Sequence, residues 1–273
     1  MLETDNNMLS NKRQRLVLRI GKKSLAFAVA DSEAEKQIFY EPYTVKSGIS
    51  MAANLREAFR ESSLLGRGYQ RALVLVDGPV LLVPVEEFSD DNCEVLYHHA
   101  VSGHAGETVL SYVLPTQNVV AVFAINKDLK LVVDDHYADV KYCPVCVPVW
   151  NYLHHRSFTG NRRKLYGYFH DRQLNVLAFD KNRFRFCNSF DTDRYKDAVY
   201  FLLYVWKQLG MDERRDELHL LGDIPEQQEL MAEVRQFVQY AHVINPSADF
   251  NRAPITQIKG LPCDVMAYFL KGR

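Results

Sequence analysis

The stretch LVLRIGKKSLAFAV, Leu16–Val29, sets two apolar runs either side of Gly21-Lys22-Lys23. Glycine and polar residues between two such runs predict a tight antiparallel hairpin. A third strand is expected at about Lys36–Tyr43, followed by a helix over Ile49–Phe59 with Ile49, Ala52, Ala53, Leu55, Ala58 and Phe59 at helical spacing. The same order begins again downstream. Leu165–His170, Leu174–Phe179 and Phe184–Phe190 read as three strands with turns at Asp171-Arg172 and Asp180–Asn182. A helix over Asp193–Leu209 follows, with Asp191 and Thr192 as capping candidates and Gly210 closing it. Two segments that both read strand–strand–strand–helix–strand imply an α/β protein of two similar lobes, each a mixed sheet flanked by helices.

Between the repeats, Ala72–Val76 and Val80–Val85 flank Asp77-Gly78, a short hairpin signal. The acidic run from Glu86 to Glu94 opens a helix expected to reach Val101. Strands at Thr108–Leu114 and Asn118–Ile125, a helix from Lys127 to about His136, a strand near Asp139–Tyr142 and a short helix at Val149–His154 complete the first part. The non-periodic basic segment His155–Lys164 suggests the lobe boundary, giving residues 11–160 and 161–273, an inserted subdomain at about 86–143 and a flexible tail at 1–10. In the second part, Leu218–Leu221 and His242–Ile244 read as strands and Val265–Leu270 as a closing helix. Glu226–Tyr240 is expected to be a helix with Leu230, Met231, Val234, Phe237 and Val238 inward.

Composition narrows the function classes. With 273 residues, 47% of them apolar, the chain is long enough for two domains. Lys plus Arg (33) nearly balances Asp plus Glu (34), which gives no global field for nucleic acid or an anionic membrane. The start, Met1–Ser10, is polar and acidic, unlike a signal peptide. The most apolar run, Ala198–Trp206, is about half the ~20 residues a membrane span needs. A cytoplasmic location without a membrane span is the expectation. Five scattered cysteines (Cys93, Cys143, Cys146, Cys187 and Cys263) suit reduced core thiols better than a disulfide framework.

The order of these segments resembles the actin-like ATPase superfamily with its ribonuclease H-like lobes, and most of all the PilM/GspL branch of type IV pilus assembly and type II secretion. Leu16–Val29 resembles the first phosphate hairpin and Val74–Pro84 the strand pair after it. Glu86–Leu153, notably VVAVFAINKDLKLVVDDHYADV, resembles the small inserted subdomain. Leu165–Leu209 resembles the second phosphate hairpin with its helix, and Leu218–Leu230 the adenosine-side loop. The chain is also similar to a bacterial family of unknown function, from which no activity follows. The resemblance implies a nucleotide between the lobes and, in the pilus and secretion branch, a membrane protein's cytoplasmic tail as partner.

Metal-dependent hydrolysis would need carboxylates on both hairpins and small residues in their turns. Gly21 and Ser24 suit the first turn, but Arg19 stands where the acid should fall, and Lys22 and Lys23 add positive charge. In the second, His170-Asp171-Arg172-Gln173 replaces a Gly/Thr-rich turn and Tyr168 replaces the acid, with Asp171 close by. On the adenosine side Leu220-Leu221-Gly222-Asp223-Ile224-Pro225 keeps one glycine of an expected pair, and Pro225 has no N–H to donate. The expectation is a non-catalytic module that binds an unidentified protein, with no required cofactor, no metal and no catalytic residue. Anion or nucleotide binding without metal, through Arg19, Gly21, Lys22, Lys23, Ser24, His170, Asp171, Gly222 and Asp223 in the interlobe cleft, is the alternative.

Other constellations are weak. Cys143-Pro144-Val145-Cys146 lacks the second pair a structural zinc site needs. His98, His99 and His104, and Asp134, Asp135 and His136, lack H-E-x-x-H spacing and read as surface helix. The carboxylate set of a two-metal nuclease is incomplete, with Asp77 the sole candidate. Basic clusters at Lys12–Lys23 and Arg156–Lys164, the second near Phe158 and Tyr166, admit nucleic-acid binding as a further alternative. The aromatic run Tyr200–Trp206 reads as a helix buried on most sides.

Overall fold

The structure is a computed structural model and describes residues 14–30, 38–102, 106–249 and 253–271. The expected tail at 1–10, Lys12, Lys36 and His104 lie outside the described residues. The described residues divide into two compact units. The first runs up to Val147 and includes Ala253–Leu261; the second comprises 148–252 and 262–273.

In the first unit, β1 (Arg15–Ile20), β2 (Leu25–Ala30) and β3 (Ile38–Tyr43) form an antiparallel meander. The four-residue turn leaves no length for a crossover, so β2 must return antiparallel to β1. After α1 (Met51–Glu61), β4 (Arg71–Val76) runs parallel to β1, and β8 (Asp139–Pro144) parallel to β4, giving the order β3-β2-β1-β4-β8. Alternation sends Leu16, Leu18 and Ile20 of β1 into one core with Leu25, Phe27 and Val29 of β2. Leu55 and Ala58 of α1 and Leu129, Val132 and Val133 of α3 (Lys127–His136) share that core. Both helices are capped by the preceding side chain: Ser50 Oγ accepts from Ala53 N at 3.1 Å, and Asn126 Oδ1 from Leu129 N at 3.1 Å.

The hairpin expected at Asp77-Gly78 does not form. Both edges of β4 are already occupied, by β1 and β8, so the next strand has no edge to join. Instead β5 (Leu81–Pro84) enters a separate sheet, β5-β7-β6, with β6 (Glu107–Leu114) and β7 (Val119–Asn126). The helix expected from Glu86 is also shorter, because two single 3₁₀ turns precede α2 (Cys93–Ala100).

The second unit begins with α4 (Val147–Ser157), all but its first residue. Its sheet repeats the first in order, β11-β10-β9-β12-β13. β9 (Lys164–His170), β10 (Gln173–Asp180) and β11 (Arg183–Asp191) form the meander, and β12 (Glu217–Gly222) and β13 (Tyr240–Val243) add in parallel. α5 (Tyr195–Gln208) and α6 (Gln227–Val234) cover one face through Ala198, Leu202, Val205, Leu230 and Val234. The aromatic run is amphipathic rather than buried all round. Tyr200 (62% exposed) and Tyr204 (50%) stack on each other on the outer side of α5. Phe237 is likewise exposed, since α6 ends at Val234 and the chain turns before reaching it. A four-residue α7 (Pro246–Asp249) and α8 (Cys263–Lys271) complete the unit.

Candidate functional site

Arg19, Gly21, Lys22, Lys23 and Ser24 lie together at the β1–β2 turn of the first unit. Gly21 N donates to Ser24 O at 2.8 Å, closing the turn, and Lys22 and Lys23 project into solvent. Arg19 lies on the face of β1 opposite the core residues and is only 4% exposed. Its Nη1 donates to Ser24 Oγ at 3.0 Å, so the guanidinium braces the turn from below. Asp77, just past β4, donates its N–H to Ile20 O at 2.9 Å, and its Oδ2 accepts from Lys22 N at 3.4 Å. A carboxylate of the chain thus meets an amide of the kind that phosphate turns offer to anions.

His170 and Asp171 lie at the β9–β10 turn of the second unit. Both central residues of that turn are left-handed, Asp171 at φ 45° and Arg172 at φ 62°. That is the mirror-image geometry two-residue hairpins favour, because it matches the strand twist. Arginine has no side-chain device to ease a left-handed backbone, which costs ~1–2 kcal/mol. Arg172→Gly is therefore expected to raise stability by about 1 kcal/mol, read as a later urea midpoint at unchanged m-value.

His170 is 3% exposed and stacks on Tyr168, ring centroids 4.8 Å apart. Asn175 Nδ2 lies 3.4 Å from His170 Nε2 and donates to Ser189 Oγ at 3.1 Å, while Asp171 Oδ2 lies 3.8 Å from His170 Nδ1. The Tyr168 hydroxyl donates to Asp264 Oδ2 at 2.8 Å, and Asp264 is fully buried. The strand position where an acid was expected therefore bears a phenol whose proton is held by a carboxyl from α8. Sequence reasoning missed Asp264. Its one signal is a lone charge at the head of the apolar run Cys263–Leu270.

Gly222 and Asp223 stand beside this hairpin because Gly222 is in register with Phe169. Gly222 has φ +92°, and a Cβ there would come within 2.0 Å of Phe169 O. Asp223 N donates to that same oxygen at 3.0 Å. This glycine is thus required by strand packing, whatever ligand the loop meets. Burial, then the charges of Asp264 and Asp223, pushes the Cys263 thiol well above its ordinary range. Two carboxylates gather there, around a thiol that stays protonated.

The two groups of candidate residues belong to different units, and each is assembled within its own. The strand positions at which the resembled family places acids, Arg19 and Tyr168, are tied to Ser24 and Asp264 and offer no carboxylate of their own. Burial drives the Cys143 thiol far above the usual cysteine range, the opposite of the lowered pKa a reactive redox thiol shows. His98 and His99 are exposed on α2. The second basic cluster is largely spent internally: Arg156 pairs with Asp249, and Lys164 Nζ donates to Arg156 O at 3.1 Å and Thr159 Oγ1 at 2.9 Å. Among the described residues no helix is long and apolar enough to cross a membrane.

Comparison with known proteins bears on the fold. A solved protein from Bacteroides thetaiotaomicron, described as having an actin-like ATPase fold and unknown function, is 26% identical with TM-score 0.81, over 92% of this chain and 98% of its own. The PilM–PilN type IV pilus biogenesis complex matches at 12% identity and TM-score 0.55, over 87% of this chain and 90% of that one. The fold is therefore the actin-like ATPase fold that the resemblance implied. No curated protein matches the sequence. The chain belongs to the family described as Protein of unknown function (DUF3822), whose profile matches residues 3–241.

Proposed function

We propose that this chain is a non-catalytic actin-like module that works by binding another protein, with the outer face of its inserted subdomain as the docking surface. The observation that carries this is the exposure of α2. Of its eight residues only Cys93 and Tyr97 are buried, so the helix leans on the small sheet along one narrow line. Val95 (56% exposed) and Leu96 (39%) face outward, and Val85 and Val113 of the same subdomain are exposed too. Exposed carboxylates at Glu86, Glu87, Asp90, Asp91 and Glu94 edge this surface. Apolar anchors within a polar rim are the anatomy of a protein interface. PilM, a protein of like fold, is known in complex with PilN. A scaffold at a membrane assembly, holding a membrane protein's cytoplasmic tail, is the role this reading gives the chain.

A second reading, phosphoanion binding without metal, rests on Lys22 and Lys23, which are exposed at the turn that Arg19 braces. Thermal unfolding with millimolar ATP, ADP or GTP, with and without Mg²⁺, separates the two. A ligand at 100 times its Kd stabilises by ~2.7 kcal/mol. We expect no shift. A shift that needs Mg²⁺ overturns the non-catalytic reading. A metal-independent shift abolished by Lys22→Ala/Lys23→Ala establishes the second reading instead.

A further inference from the structure

The sheet of the second unit carries two histidines that neither reading above uses. Along β12, alternation sends Leu218 and Leu220 into the core and Glu217 and His219 to the opposite face. On the neighbouring strand β13, Ala241 is in the core and His242 is on the opposite face. The strands are parallel with His219 in register with His242, and the two rings lie 5.4 Å apart, tilted by 33°. His219 is 8% exposed. His242 is exposed.

The state of His219 follows from its neighbours. Its Nε2 lies 2.9 Å from Glu217 Oε2, and an ionised carboxylate only accepts, so the proton belongs on Nε2. Nδ1 then presents a lone pair. That atom is buried and has no hydrogen-bond partner among the described residues. A ring with one N–H fixed by a carboxylate and the other nitrogen bare is the arrangement of a metal-ligating histidine.

We propose that His219 Nδ1 and His242 together bind a divalent transition-metal ion of the zinc class, with Glu217 orienting His219 and water completing the shell. The donors choose the ion. Two neutral imidazoles suit Zn²⁺ or Ni²⁺, whereas Mg²⁺ and Ca²⁺ require oxygen. His242, the exposed member of the pair, is the ligand through which the ion enters. Arg156 is close enough to disfavour a cation at His219, and Glu217 offsets its charge. The competing occupant is a water between Nδ1 and the Tyr166 hydroxyl, which is also buried without a partner, its ring 5.6 Å from His219. Such a water makes no demand on His242.

The test is a calorimetric titration of the full chain with Zn²⁺ at neutral pH, paired with imidazole ¹⁵N spectra. One equivalent of Zn²⁺ is expected to bind and to move both the His219 Nδ1 and His242 resonances. His242→Ala, at an exposed position, should keep the fold and weaken binding ~100-fold, and Glu217→Gln ~10-fold. His98→Ala/His99→Ala, on the exposed face of α2, should change nothing. An isotherm that His242→Ala leaves unaltered, or a His219 Nδ1 resonance that stays put at saturating Zn²⁺, would overturn the proposal and assign the lone pair to water. The outcome is independent of the protein-docking reading, whose surface lies in the other unit.

Discussion

Gly222→Ala is expected to destabilise the second unit by about 4 kcal/mol or more, among the larger effects a single substitution produces. Two terms act together. At φ +92° any L side chain meets the left-handed penalty of ~1–2 kcal/mol. The added Cβ would also stand 2.0 Å from Phe169 O, which belongs to the backbone and cannot swing aside. Relief requires β12 to move away from β9, which breaks the Asp223 N–H to Phe169 O bond and strains the parallel ladder. Gly222→Asn separates the two terms. Asparagine tolerates the left-handed backbone but keeps the Cβ, so it should fail nearly as badly as alanine. Gly78→Ala is the matched control: its φ is not left-handed and nothing lies within 4 Å of the added carbon, so it should be near neutral. Urea unfolding of the three variants reads all of this. A mild effect for Gly222→Ala would mean that β12 separates from β9 at little cost.

The contrast between these glycines shows what was legible in the sequence. The β1–β2, β9–β10 and β10–β11 hairpins could be read directly, because the turn and both strands lie in one short contiguous stretch of chain. α3 was legible for the same reason, since its helical pattern from Lys127 to His136 is local. Asp77-Gly78 has equally good turn chemistry and misled, because strand pairing depends on which edges distant strands have left open. Gly222 was visible as a glycine near a candidate nucleotide loop. Its reason for being glycine is a carbonyl on β9, a neighbour no local pattern reveals. The helix α5 shows a different limit. Its apolar density concealed a polar stripe, because tyrosine counts as apolar in a composition yet can stack in solvent, as Tyr200 and Tyr204 do. Of the candidate site, Arg19, Ser24 and Tyr168 were legible as positions; the bond between Arg19 and Ser24 and the partner Asp264 were not.

That partner makes the second large effect a test of what replaced the expected acid. Asp264→Ala is expected to cost about 3 kcal/mol, since its fully buried side chain accepts from the Tyr168 hydroxyl and the substitution removes that buried hydrogen bond. Tyr168→Phe should cost about 2 kcal/mol, because the ring still packs on His170 while the carboxylate loses a donor. If the two side chains act as a pair, the double variant will be less damaging than the sum, with a coupling of about 1–2 kcal/mol in a double-mutant cycle. Additive losses would show that Asp264 is held by its other neighbours and that the Tyr168 bond is incidental. Coupling would show instead that a phenol and a carboxyl from two distant segments jointly fill the strand end where an acid was expected. Under that outcome Tyr168→Asp would not restore a metal ligand: it would set a second carboxylate beside Asp264 in a buried place, and should destabilise more than Tyr168→Phe does.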